Sequence, residues 1–374
     1  RRRPRVSCAG LGRECVASST ATGPRIEHVT TAWASDVLPL FLELVAIPSP
    51  SGEEEAVAEH VRGYLRDLGV EADADPAGNL LARLPAPEGE SGTPIFLCAH
   101  LDTVPASGPI EPVVADGVIT SAADTILGAD DKAAVAVLLE AARLILAEGR
   151  PHAGVELLFT TREETGLEGA FAFDWSRLEA RLGFVYDYSG SIGEVVVAAP
   201  SGRAIDVLFT GRPAHAGINP EDGRSAIVAA ARAISDLRLG RIDEETTANA
   251  GRIEGGSALN VVPAHCRFAV EARSRDDRKL ADLVQEMLDS FSFAAAVADC
   301  EVDATVEDKY RGYRLAPDDP ALVLARTALE RAGFEPTEVE VGGGSDANVF
   351  NERGLHCVNL ANGMANVHTA DEAI

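Results

Sequence analysis

Three short, largely apolar runs constrain this chain more than any other feature: residues 94–99 (PIFLCA), 154–160 (GVELLFT) and 182–186 (LGFVY). A strand of this length without polar alternation is buried on both faces, and such strands belong to sheets covered by helices. Helical spacing of apolar residues fills the stretches between, at 33–47, 52–68 (closed by Gly69) and 130–147, and a further β-rich run lies at 79–84. Strand and helix alternating in this way predict an α/β unit with a mainly parallel sheet.

The texture changes after Pro200. Residues 203–211 read as a strand, 222–238 as a helix, 246–254 and 264–273 as strands, 276–292 as a helix and 298–307 as a strand. That β-α-β-β-α-β order is ferredoxin-like. Beyond Tyr310 the α/β texture returns, with a helix at 319–332, a strand at 337–341, and then GGGSDANVF and LHCVNL. The chain of 374 residues is long enough for two folded units. They are expected to be an α/β domain made of residues 31–199 and 308–374 and an inserted ferredoxin-like α+β domain at 200–307, a lid or dimerisation unit. Residues 1–30 are basic, small and polar, with no apolar stretch for a secretory signal, and are expected to be a disordered or misannotated leader.

A formal net charge of -26 repels nucleic acid and anionic membrane, so neither is an expected partner. No run approaches the roughly 18 apolar residues of a membrane span. The six cysteines, Cys8, Cys15, Cys98, Cys266, Cys300 and Cys357, are scattered and form no CxxC pair. That pattern argues against a disulfide scaffold or a cysteine-ligated zinc site and suits a reducing cytoplasm.

The chemistry-bearing residues cluster at strand ends. His100 and Asp102 follow PIFLCA, Asp130 and Asp131 open the helix of LGADDKAAVAV, Glu163 and Glu164 follow GVELLFTTR, and Asp187 ends LGFVYD. Taken singly, Asp130 could cap a helix, Glu163–Glu164 could be a solvated pair, Asp187 could cap a turn and His100 could be a satisfied core histidine. Together they crowd one sheet edge, where open α/β sheets bind ligands, and carboxylates so placed repel unless cations neutralise them. Three carboxylates with two neutral imidazoles balance two divalent ions and one hydroxide. Mixed histidine and carboxylate ligation suits zinc or cobalt, with manganese also compatible.

Seven motifs in order, HLDTVP, GADDKA, the EE of TTREETGLEGA, the Asp of LGFVYD, GRPAHAG, GGGSD and NVHT, resemble the peptidase T-like branch of dinuclear zinc metallopeptidases. Carboxypeptidase G and succinyl-diaminopimelate desuccinylase belong to the same wider family. The resemblance implies that His100 and Asp187 hold one metal, Glu164 and His368 the other, and that Asp130 bridges them. It implies that Asp102 orients the His100 imidazole and that Glu163 is the general base. His215 of GRPAHAG would reach the substrate in the partner subunit's site, making a homodimer through the inserted domain. Asn260 and Arg273 would be further substrate contacts, and Gly342, Gly343 and Gly344 would let backbone approach the ligand. Family members continue with another helix past the segment matching HTADE, so the chain is expected to be truncated at Ile374.

The expected function is two-metal hydrolysis of short peptides, as a di- or tripeptide aminopeptidase. Hydrolysis of N-acyl amino acids is the enzymatic alternative. A catalytically silent dimeric binding protein is the non-enzymatic one, although every position whose loss would mark it is filled.

Overall fold

The computed structural model describes residues 34–374. The expected leader, Cys8, Cys15 and Trp33 lie outside the described residues. The larger sheet has nine strands. In spatial order they are Ala72–Ala74, Leu80–Leu84, Val155–Thr160, Ile95–His100, Leu182–Tyr188, His356–Ala361, Glu194–Ala199 and Tyr313–Arg314, with Thr337–Glu340 also paired to Glu194–Ala199. The four middle strands from Val155–Thr160 to His356–Ala361 run parallel. Ala72–Ala74, Leu80–Leu84 and Tyr313–Arg314 pair antiparallel, and Glu194–Ala199 runs antiparallel to His356–Ala361, so the sheet as a whole is mixed rather than mainly parallel. Part of the reason is connection length, since a short link such as 75–79 reverses the chain and a parallel pairing needs a long crossover.

Both faces of the parallel strands are covered, as their unbroken apolar character requires. On one face Leu157, Phe159 and Leu101 pack beneath the helices Ala34–Val45, Glu55–Asp67 and Ala129–Glu148, through Leu44, Val61, Leu65, Val135 and Leu139. Leu158, Phe96, Cys98 and Val185 point the other way, onto Phe350, Leu355 and Cys357. The adjacency of Leu157 and Leu158 in opposite cores is the two-residue period of a strand.

A five-stranded antiparallel sheet carries the middle of the chain, in the order Gly240–Arg241, Thr246–Gly255, His265–Ser274, Ser201–Thr210 and Glu301–Tyr310. Setting aside the two-residue edge strand, this is the ferredoxin-like arrangement. The helices Ala226–Asp236 and Asp277–Ala298 cover one face, where Phe209 stacks on Phe268 and Phe268 meets Phe291 edge to face. The second helix runs on to Ala298 instead of stopping at 292, because Ala294 and Ala295 continue its buried stripe. The edge strand consequently begins at Glu301. Arg275 ties this sheet to the larger unit by donating from Nη1 to the Val341 carbonyl at 3.0 Å and pairing with Glu340 at 3.1 Å. No helix among the described residues is long and apolar enough to cross a membrane.

Candidate metal centre

Val155–Thr160, Ile95–His100 and Leu182–Tyr188 are adjacent and parallel, so the residues at their C-terminal ends meet at one edge. His100 closes the middle strand and is buried. Asp130 reaches it from the neighbouring loop, its Oδ1 lying 3.1 Å from His100 Nε2, and Asp187 Oδ1 lies 3.9 Å from the same nitrogen. Asp130 does not cap the helix: its two carboxylate oxygens face His100 and His368, and regular helix starts only after Asp131. His368 arrives from the other end of the chain, its Nε2 2.8 Å from Glu164 Oε1 and 3.2 Å from Asp130 Oδ2. Two overlapping groups of ligand atoms result, His100 with Glu163 and Asp187, and His100 with Asp130 and Glu164, each spanning no more than 4.8 Å. That donor set fits divalent cations.

Burial and the crowding of like charges shift proton affinities within this cluster. Burial, reinforced by the Asp187 carboxylate, pushes Glu163 well above the usual carboxylate range, and burial with Asp130 does the same to Asp187. Burial alone would raise Asp130 too, but the bonds from His100 and His368 outweigh it and hold Asp130 low. His368 is pushed up to about 10 by its bonds to Asp130 and Glu164.

Asp102 does more than orient a ring. The nearest acceptor to His100 Nδ1 is the Asp102 backbone carbonyl at 2.9 Å, with the carboxylate 3.4 Å away. The carboxylate itself collects the Ser51 hydroxyl at 2.7 Å and the backbone N–H groups of Glu163 at 2.9 Å and Glu164 at 3.1 Å. It therefore fixes the turn that presents both glutamates.

Several residues of this supporting layer escaped sequence reasoning. Asp131 accepts the His100 backbone N–H at 3.2 Å and the Asn362 amide at 3.2 Å. Asn359 brackets Asp187, accepting its N–H at 3.0 Å and donating to its carbonyl at 2.9 Å. Lys132 is fully buried and donates to the Ile47 carbonyl. Asp346, the acid of GGGSD, is buried behind the strands, accepts the Thr160 hydroxyl and is pushed up to about 6 by burial. Glu372 accepts three backbone N–H groups around Asp130. The second acid of GADDKA, its lysine and the final glutamate of HTADE were in view as letters in motifs. Only their burial distinguishes them from solvated charges, and burial is not legible from a single sequence.

A cavity of about 760 Å³ opens above the cluster, lined by Glu163, Asp187, Arg273, Tyr310, Gly343 and His368 among others. Gly344 lines it as well, and a Cβ there would stand 2.6 Å from the Tyr310 ring, so the close approach needs glycine. Arg273 pairs with Glu271 at 2.9 Å and also lines the cavity. His215 and Asn260 do not line this cavity. They are exposed neighbours on the inserted domain, linked by the Ala216 N–H donating to the Asn260 carbonyl at 3.0 Å.

An acid and imidazole cluster at the ends of parallel strands, with an inserted antiparallel unit contributing to the cavity wall, defines a metallopeptidase architecture. The family models agree: the M20 peptidase dimerisation domain matches residues 202–297, and peptidase family M28 matches residues 79–203. The Bacillus subtilis protein YqjE is 39% identical over 341 residues, covering 89% of this chain and 91% of YqjE. The crystal structure of aminopeptidase PepT from Bacillus cereus is 40% identical with a TM-score of 0.77, covering 91% of this chain and 93% of PepT. A tripeptidase from Staphylococcus aureus superimposes with a TM-score of 0.83 at 34% identity, covering 91% of this chain and 92% of that one. The chain belongs to the peptidase T-like M20 metallopeptidases.

Proposed function

We propose that this protein is a two-metal aminopeptidase that cleaves di- and tripeptides with a free amino terminus. The observation that carries the proposal is the double ligand group built on His100, with Glu163 at its edge and the cavity directly above. The names of the two similar solved proteins, an aminopeptidase and a tripeptidase, support peptides as the substrate class. In this reading His100 and Asp187 hold one ion, Glu164 and His368 the other, and Asp130 spans both. Zinc suits the ligands best, with cobalt or manganese able to replace it. When bound, the ions polarise the scissile carbonyl and acidify the attacking water.

The remaining steps belong to the protein. Glu163 takes the proton from the attacking water and delivers it to the departing amine, the two transfers that a buried carboxylate lining the cavity can make. Asp102 holds the Glu163–Glu164 turn in place while the proton moves. Arg273 and the backbone at Gly343 and Gly344 contact the peptide from the cavity wall. His215 serves the partner subunit's site in a homodimer formed through the inserted domain, and Asn260 beside it is a further substrate contact, a reading supported by their exposure and their absence from the lining of their own chain's cavity. The free thiols of Cys98, Cys266, Cys300 and Cys357 suit the reducing cytoplasm.

The test is a panel of dipeptides, tripeptides and N-acyl amino acids, assayed with zinc, cobalt or manganese and after chelation. Purified protein should carry about two divalent ions per chain and lose hydrolysis reversibly when they are removed. Acetylating a good tripeptide should sharply lower kcat/KM. Faster cleavage of the blocked peptide would transfer the assignment to N-acyl amidohydrolysis.

A further inference from the structure

We infer that Glu372 is a positioning residue that locks the two ends of the chain's metal-binding set together, by holding the Asp130 loop against the segment that carries His368. This rests on the reading of Asp130 and His368 as metal ligands. The Glu372 side chain is almost wholly buried. Its Oε2 accepts the backbone N–H groups of Leu127 at 2.8 Å and Gly128 at 2.9 Å, and its Oε1 accepts that of Asp130 at 3.0 Å. These donors precede the regular part of the helix Ala129–Glu148 and have no carbonyl a turn earlier to bond, so without the carboxylate they would be buried and unpaired.

The same carboxylate is four residues from His368. Ala365 and Ala373 exchange two backbone hydrogen bonds, at 2.9 and 3.0 Å, which close the intervening stretch into a loop with His368 and Glu372 inside it. One side chain of that loop, His368, reaches Asp130 Oδ2 and Glu164 Oε1, and another, Glu372, grips the Asp130 backbone. The separation between Asp130 and His368, which a shared ligand set must hold within tenths of an ångström, is therefore set by a three-point clamp some 240 residues away in sequence. Glu372 does not line the cavity and its carboxylate bonds to backbone N–H groups, so its effect on the reaction passes through the position of Asp130.

Glu372→Gln separates positioning from bulk. It preserves shape but replaces one acceptor oxygen with an amide that faces a backbone N–H, so at least one of the three bonds is lost. Titrating chelated full-length protein with Co2+ and following heat or visible absorption should show affinity about 10–100-fold weaker than wild type. Turnover at limiting Co2+ should fall and recover in excess Co2+, with KM unchanged, and the metal-free protein should unfold no more than a few degrees lower, the cost of one lost buried bond. Wild-type Co2+ affinity in Glu372→Gln would overturn the inference. So would a large loss of metal-free stability together with turnover that excess Co2+ fails to restore, which marks a purely structural residue. If Glu372→Gln does not fold, Glu372→Asp carries the same measurement: it keeps both oxygens but withdraws them by one methylene, and unchanged affinity overturns the clamp. His100→Ala run in parallel keeps the two readings apart, because Co2+ binding that survives there defeats the ligand assignment itself rather than the role of Glu372.

Discussion

At the scale of single residues, Glu163 and Glu164 show how neighbours in sequence acquire different duties. Glu164 is bonded to His368, whereas Glu163 sits where burial and Asp187 favour its protonated form. Glu164→Ala should weaken metal binding. Glu163→Gln should keep both ions and lose on the order of 10²–10⁴-fold in turnover, and comparable turnover in mutant and wild type would remove Glu163 from the base role. The same electrostatics predict how the metal-free protein responds to pH. Glu163 and Asp187 are raised, Asp346 is raised to about 6 and His368 to about 10. Each raised group stabilises the fold fully below its unfolded pKa, about 4 for a carboxyl and 6.5 for imidazole, and loses that contribution as pH climbs through the folded value. Chelated protein should therefore melt at a lower temperature at pH 8.5 than at pH 5.5, while bound metal, which displaces these protons, should narrow or reverse the gap. Calorimetry of both forms at the two pH values checks this, and a chelated protein more stable at the higher pH would contradict it. Asp130, held low, acts in the opposite sense, its contribution vanishing only in acid.

Elements were legible where their burial left a periodic mark. The strands around residues 94–99, 154–160 and 182–186 stood out because both faces are covered, and the inserted unit because its strands alternate. Glu194–Ala199 went unassigned although it is rich in valine, since no helix separates it from its neighbours and nothing local says which sheet it joins. The hairpin Pro112–Ala115 and Val118–Ser121 was invisible for the opposite reason: it is short and exposed, with no buried face to leave a pattern. Close packing between parallel strands offers a direct test of the core. A Cβ at Gly183 would lie 1.9 Å from the Phe96 ring, and that ring is itself buried and wedged edge-on against Phe350 at 5.1 Å. Gly183→Ala should therefore destabilise the protein by about 1–3 kcal/mol through overpacking, read as a lower denaturant midpoint at unchanged slope. Wild-type stability would mean that Phe96 has room the structure does not show.

At the scale of the whole molecule, the open question is which site His215 serves. Its exposure and its absence from its own cavity motivate a test by subunit mixing. His215→Ala and Glu163→Gln should each be nearly inactive alone, yet co-expression should recover roughly a quarter of wild-type activity, because half the dimers are mixed and each has one complete site. No recovery despite proven exchange, or a fully active monomer, would defeat the trans arrangement. The sequence by itself determined the α/β class, the inserted ferredoxin-like unit and the identities of the clustered acids and histidines, because strand burial and motif order are written locally. Tertiary structure alone decided that the sheet is mixed, that the Asp130 carboxylate faces two histidines rather than capping a helix, and that Asp102 grips the glutamate turn. It also decided that Glu372 closes on Asp130. Those outcomes depend on burial and on contacts between residues tens to hundreds of positions apart, and a charged side chain carries no local sign of whether water or a backbone N–H will satisfy it.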